Sequence, residues 1–449
     1  MGYSQSRGRR PFERASKIAH TEVLNNPLVK EFVEGCVLPH PPSSLELTPR
    51  VQDLPKGDGR VTSVIAIDGG MTEVPVRKEF PSASIAFMTF GPLLMSLEDL
   101  ALVDREPFIG PEDMAKFNNL QRYSLVIPAK GVRGPGATGF SEGVRKAIHK
   151  FLSKDKPELL TALQWLLFRE WLPPDKRSSW PISRCPASPT GQCEQDFVFR
   201  SGEPAEQDCP ACGRPVYLAD GLRLFERIDE EQGAGGIMAY LLTTLEQLVL
   251  VNVIHLVLGM KPASLREILL VKDGPLAFFG VTAPLRKPMQ ELMTYLGDKD
   301  NGKPLINLVG LEKSGAFVEH AALIEPLLKP GQLLVLDNEY IYKYIQPGDP
   351  TGQPFGQNTY YGAKVIFRGE GQDTYVATIP TSSYKTKPKF EDLYNGAEVL
   401  QVTSQLRCSM YDNALVPIVL ANRLVSLADV PSQDILKKFA AKGIKAAAS

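Results

Sequence analysis

Residues 61–70 read Val-Thr-Ser-Val-Ile-Ala-Ile-Asp-Gly-Gly. A β-branched apolar run of this kind reads as a buried strand, and it delivers Asp68 directly before Gly69 and Gly70. The glycines let the backbone turn sharply and come close to a ligand. An acid at the end of a strand lies where open α/β sheets keep their sites. The same device recurs at residues 268–276, Ile-Leu-Leu-Val-Lys-Asp-Gly-Pro-Leu, where Asp273 precedes Gly274. Two such acids can hold a divalent metal against phosphate. The plainer alternative is that each Asp caps a turn.

A chain of 449 residues, 43% hydrophobic and 22% charged, has an ordinary globular composition and room for two or three units, or one unit with large insertions. Its net charge of −1 means that any nucleic-acid surface must be a local patch. No uninterrupted apolar run reaches the ~18 residues of a membrane span. No signal-peptide pattern opens the chain, so a cytoplasmic protein off the membrane is expected.

Arg7, Arg9, Arg10, Arg14 and Lys17 against the single acid Glu13 make a basic arm, either a phosphate contact or a solvated terminus. Helical patterning runs from Leu24 to Val37 and is broken by Pro39, Pro41 and Pro42. Residues 83–90 read as a hairpin partner of the first strand. The loop 131–139, Gly-Val-Arg-Gly-Pro-Gly-Ala-Thr-Gly, precedes a helix at 141–152 and lacks the ending of a P-loop. A second helix is expected at 158–171. From 173 to 216 the chain turns polar and carries Cys185, Cys193, Cys209 and Cys212. Four thiolates can close a tetrahedral structural zinc site, with no open position for catalysis. A long apolar helix is expected at 236–258, interrupted by Glu246. A carboxylate in such company is seldom buried without a partner, which here is a metal, an arginine or water. His255 reads as a core or surface histidine. Further strands are expected near 305–312, 333–337, 363–368 and 375–379. They place Lys313 and Asp337 at strand ends, and a closing helix over 410–425 carries Pro417, Asn422 and Arg423. The lysines at 437, 438, 442 and 445 suggest a solvated tail.

The order of these parts resembles the NurA nuclease family: a strand ending Ile-Asp-Gly, a helix bearing a Glu, a strand ending Asp-Gly-Pro-Leu, a strand ending in Lys-Ser, and a late helix after Tyr-x-x-Ala-Leu-x-Pro. The resemblance covers roughly residues 60–430. It implies an α/β fold, an RNase H-like mixed sheet flanked by helices, with a four-cysteine zinc-ribbon-like insertion and a helical N-terminal extension. The divisions it suggests are 1–59 for the arm and extension, 60–172 and 217–430 for the core, 173–216 for the zinc insertion and 431–449 for the tail. It further implies a homodimeric deoxyribonuclease using Mn2+ or Mg2+ and docked on HerA, a hexameric ATPase that moves DNA, in end processing or anti-phage defence. Asp68, Glu246 and Asp273 match the family's metal-binding acids, with Glu226 or Glu230 as alternatives for the helix acid. Lys313 matches its basic residue. The family often has a His in the closing helix, where this chain has Asn422, a weaker ligand through its carbonyl oxygen.

Two other readings compete. Ile-Asp-Gly-Gly-Met-Thr at 67–72 also resembles the phosphate-binding opening of sugar-kinase-like ATPases, and a catalytically inactive adaptor would explain Asn422.

Overall fold

A computed structural model describes residues 19–77, 82–103, 122–188, 193–298, 303–349, 351–369, 373–408, 414–427 and 432–440. The basic arm, and Lys442 and Lys445 of the tail, lie outside the described residues. Thirteen strands are described. In chain order they are β1 (Val51–Asp53), β2 (Ser63–Arg77), β3 (Ala83–Ser96), β4 (Tyr123–Lys130), β5 (Trp180–Ile182), β6 (Phe197–Phe199), β7 (Glu206–Asp208), β8 (Pro215–Tyr217), β9 (Ile268–Asp273), β10 (Asn307–Glu312), β11 (Gln332–Val335), β12 (Gly362–Arg368) and β13 (Thr374–Pro380).

Nine of them form one sheet in the order β1-β11-β12-β13-β10-β9-β2-β3-β4. An antiparallel meander, β2-β3-β4, is extended by β9 and β10, both parallel to β2. This is the mixed arrangement expected of an RNase H-like core. The remaining strands pair antiparallel beyond β10. β1 joins this edge from within the stretch read as an N-terminal extension.

Alternation along the strands separates two apolar faces. Ile65, Ile67, Leu270 and Leu308 face one way, into a core shared with the helices Phe140–Lys150, Pro157–Phe168, Met238–Met260 and Arg286–Asp298. Val64, Ala66, Val271 and Leu311 face the other way, under Gly396–Gln405 and Val416–Val425. The long helix Met238–Met260 is apolar enough to span a membrane by length and composition, but Leu241, Leu245 and every residue from Leu248 to Ile254 are buried in the protein. Burying each Leu, Ile or Val contributes roughly 1.5–3 kcal/mol, which holds the helix against the sheet.

Several expectations change. The helical stretch from Leu24 splits into Ala19–Asn25 and Pro27–Glu34, because Asn26 caps the second helix and Pro27 starts it. The closing helix begins at Val416 rather than Met410, after Leu415 has bridged to Arg407, with Pro417 in its first turn. Residues 432–440 of the expected solvated tail are helical, with Lys438 exposed and Ala440 packed on Val74 and Phe87.

The four cysteines lie in two small hairpins. Cys185 and Cys193 sit in the connection between β5 and β6, and Cys209 and Cys212 in the turn between β7 and β8. Polar as the segment is, Trp180, Ile182, Phe197, Phe199 and Val216 place it in the main core. Arg145 adds an anchor, fully buried and bonded through both Nε and Nη2 to Asp220 and through Nη2 to the Pro215 carbonyl.

Candidate metal centres

β2 does not end at Asp68. It continues to Arg77, with Gly69 opposite Phe90 and Gly70 opposite Thr89 of β3. The parallel ladder with β9, however, stops at Ile67↔Lys272, so Asp68 lies where the parallel part of the sheet gives out. The glycines therefore serve close approach rather than a turn. A Cβ on Gly69 would stand 2.9 Å from Oε1 of Glu246 and 2.7 Å from a methyl of Leu242. A Cβ on Gly70 would meet the Val425 carbonyl at 2.7 Å. One glycine admits the long helix on one face, and the other admits the end of the closing helix on the opposite face.

Register then fixes the rest. Asp273 pairs with Leu311 of β10, and Lys313 follows two residues on, on the same side. Lys313 Nζ lies 3.0 Å from Asp273 Oδ2. Gly274 adopts φ +81°, a conformation that favours glycine, and donates its N–H to the Leu311 carbonyl at 2.6 Å. Asp68 Oδ1 accepts the Gly69 N–H at 2.7 Å, while Oδ2 is buried with no hydrogen-bond partner. Burial pushes the Asp68 carboxyl up to about 6, and Asp273 adds to this; Lys313, the Gly69 N–H and the Asn422 amide pull it back. Glu246 is 6% exposed, and burial raises it to about 7, with Lys272 opposing the rise and Asp68 and Asp273 reinforcing it.

Asp68 thus has Asp273, Lys313 and Asn422 as neighbours, and Glu246, over Gly69, feels the charges of both acids. Glu226 and Glu230 are engaged elsewhere. Glu226 holds Arg223 at 2.6 Å, and Glu230 accepts the Phe140 and Ser141 N–H groups at the start of a helix. That cap also takes the amides a phosphate would need behind the loop 131–139. Both acids line a cleft of about 870 Å³ beside Cys185, away from the strand-end acids. Asp337 has the plain capping role, accepting from Tyr340 N–H and pairing with Arg50. His255 stacks on Trp165. Sequence reasoning missed Lys272, which is 2% exposed with Nζ 3.2 Å from Glu246 Oε2. Its one signal was a lysine inside an otherwise apolar strand.

Divalent-cation chemistry suits these donors. A buried carboxylate oxygen lacks a partner, and burial, reinforced by the neighbouring acids, raises two of the carboxyls. Asp68, Glu246 and Asp273 would hold the ion, with the Asn422 carbonyl oxygen available to it.

The cysteine group is tighter. Cys185 Sγ lies 3.8 Å from Cys212 Sγ, Cys193 Sγ lies 3.7 Å from Cys209 Sγ, and all four sulfurs fall within 4.8 Å of one another. Tetrahedral zinc with bonds of about 2.3 Å spaces its sulfurs by roughly 3.8 Å. Gly213, at φ +66°, closes the knuckle by donating its N–H to the Cys209 carbonyl. Among the described residues this is the one group of three or more His, Cys, Asp or Glu whose ligand atoms already stand so close.

No family model matches the chain, and no curated protein matches it. Among solved structures it is similar to the NurA nuclease from Sulfolobus solfataricus, at 8% identity and a TM-score of 0.31 over 96% of this chain and 95% of that one. It is also similar to NurA with manganese, at 13% identity and a TM-score of 0.30 over 94% and 96%, and to NurA bound to dAMP and manganese, at 12% and 0.25 over 93% of each chain. Overlap this loose transfers no residue roles.

Proposed function

We propose that the chain is a divalent-metal-dependent nuclease that hydrolyses DNA phosphodiesters at the Asp68–Glu246–Asp273 cluster. The observation that carries this reading is the buried, unpartnered Oδ2 of Asp68 beside a second strand-end acid. A bound Mn2+ or Mg2+ supplies an activated water and neutralises charge on the phosphate. Asp68 and Asp273 offer oxygens from neighbouring strands, and Glu246 offers one from the helix. Lys313, one-third exposed, presents a cation beside the acids where a phosphate oxygen would lie. The four cysteines hold a structural zinc.

The resemblance of the sequence to NurA nucleases supports DNA as the substrate and a HerA-type hexameric ATPase as the partner of a cytoplasmic, membrane-free homodimer. Without a P-loop of its own, the chain needs such a motor to process long DNA. An ATPase reading is less well supported, because Gly69 and Gly70 lie inside the β2–β3 ladder and not in a phosphate-binding hairpin.

Purified protein with Mn2+ is expected to cleave linear DNA, and Asp68→Ala and Asp273→Ala to abolish cleavage while remaining folded. Full cleavage by either variant refutes the assignment. A cognate HerA-like ATPase should raise the rate, and light scattering should give a dimer.

A further inference from the structure

A buried lysine beside three buried or half-buried acids needs a reason. Lys272 lies on the sheet face opposite Asp273, because neighbouring strand residues alternate. Its ammonium bonds Oε2 of Glu246 on the long helix at 3.2 Å, and also the backbone carbonyl of Asp273. One cation thus joins the helix acid to the strand residue that carries the second acid. Oε1 of Glu246 is left over the bare Cα of Gly69, the residue after Asp68, and the charges of Asp68 and Asp273 both act on it.

We infer that Lys272 is a positioning residue for metal binding: it holds Glu246 by Oε2 so that Oε1 is presented to the cation shared with Asp68 and Asp273. The inference rests on the nuclease site proposed above. Lys272 touches neither substrate nor reacting atoms. Its effect is opposite in sign to that of a mere neighbouring charge. A positive group near the site repels a divalent cation, so removing one tightens binding by Coulomb's law. Losing a side chain that orients a ligand weakens metal affinity, typically 10–100-fold.

Mn2+ affinity of the full chain, measured by calorimetry or by the electron paramagnetic resonance of free Mn2+, separates the two. Asp68→Asn should lose the tight site, and Lys272→Met should bind Mn2+ about tenfold more weakly than the wild type. Unchanged or tighter binding by Lys272→Met, with Asp68→Asn still deficient, overturns the positioning role and leaves the site standing. Wild-type affinity in Asp68→Asn removes the site itself, and the inference with it. Should Lys272→Met fail to fold by circular dichroism, Lys272→Arg keeps the charge but replaces the ammonium with a longer, planar fork. Several-fold weaker binding by that variant supports the role, and wild-type affinity overturns it.

Discussion

The molecule contains two candidate metal centres built on opposite plans. The cysteine group draws all four donors from residues 185–212, on two hairpins of three-residue strands, and the sulfurs already stand at the spacing a tetrahedral ion requires. The carboxylate group draws on positions from 68 to 422, spread over two strands and two helices, and two of its acids are paired with lysines. A closed four-thiolate shell leaves no room for a substrate, so such an ion can only stabilise. An open cluster of acids costs stability until a cation and substrate arrive, and that tension is what chemistry uses. The chain keeps the two clusters apart, the sulfurs where an ion would organise the fold and the acids where burial raises two carboxyls.

Cys209→Ser should break this contrast most severely. With a ligand gone, zinc content should fall from about one per chain toward zero, and stability should drop by several kcal/mol, because zinc binding and local folding are one event. A zinc-free preparation that melts like the wild type would show that the hydrophobic anchoring of Trp180 and Phe199 suffices alone.

Gly69→Ala should sharpen it from the other side. A methyl group there meets the ends of the Leu242 and Glu246 side chains and the Phe90 Cβ, moving the Glu246 carboxylate by roughly an ångström or less. Overpacking of this kind costs typically 1–3 kcal/mol, and misplacement on that scale can cost about 10²-fold in rate. Zinc content should not change. An alanine variant of full activity would mean that Glu246 need not sit over Gly69 at all.

The smallest effect expected is in pH. Asp68 at about 6 and Glu246 at about 7 titrate above the ordinary 3.8 and 4.5. A carboxylate raised in the folded state favours folding below its unfolded value, and that contribution is lost as pH rises through the folded value. Metal-free wild type should therefore lose on the order of 2 kcal/mol relative to Asp68→Asn between pH 4 and 7, and Mn2+ should reverse the loss. Melting curves of the two proteins in chelator, compared across that range, check the sign; parallel curves would mean that the acids are not strained.

Local pattern made much of this legible. Apolar runs ending in acids marked β2 and β9, and cysteine spacing marked the two hairpins, because each signal sits within a few residues. The path of β2 beyond Asp68 was not legible, since Gly69 and Gly70 read as a turn. Only the matching length of β3, paired from Ser96 back to Ala83, keeps the strand straight. The reason for the two glycines was equally hidden, as it lies in Glu246 and Val425, far along the chain. Lys272 escaped notice because a single lysine in a strand reads as an edge or surface residue. Its burial follows from the helix that covers it, which periodicity cannot place.

Val425 has one more consequence. Its carbonyl caps the site from the closing helix, accepting the Thr89 hydroxyl beside Gly70, and Asn422 arrives on the same helix. During synthesis Asp68 leaves the ribosome first, and the segment that seals the far face of its strand follows more than three hundred residues later. The nascent polypeptide thus carries Asp68 with one side of the cluster unroofed until that helix has been made, and the centre cannot assemble before it.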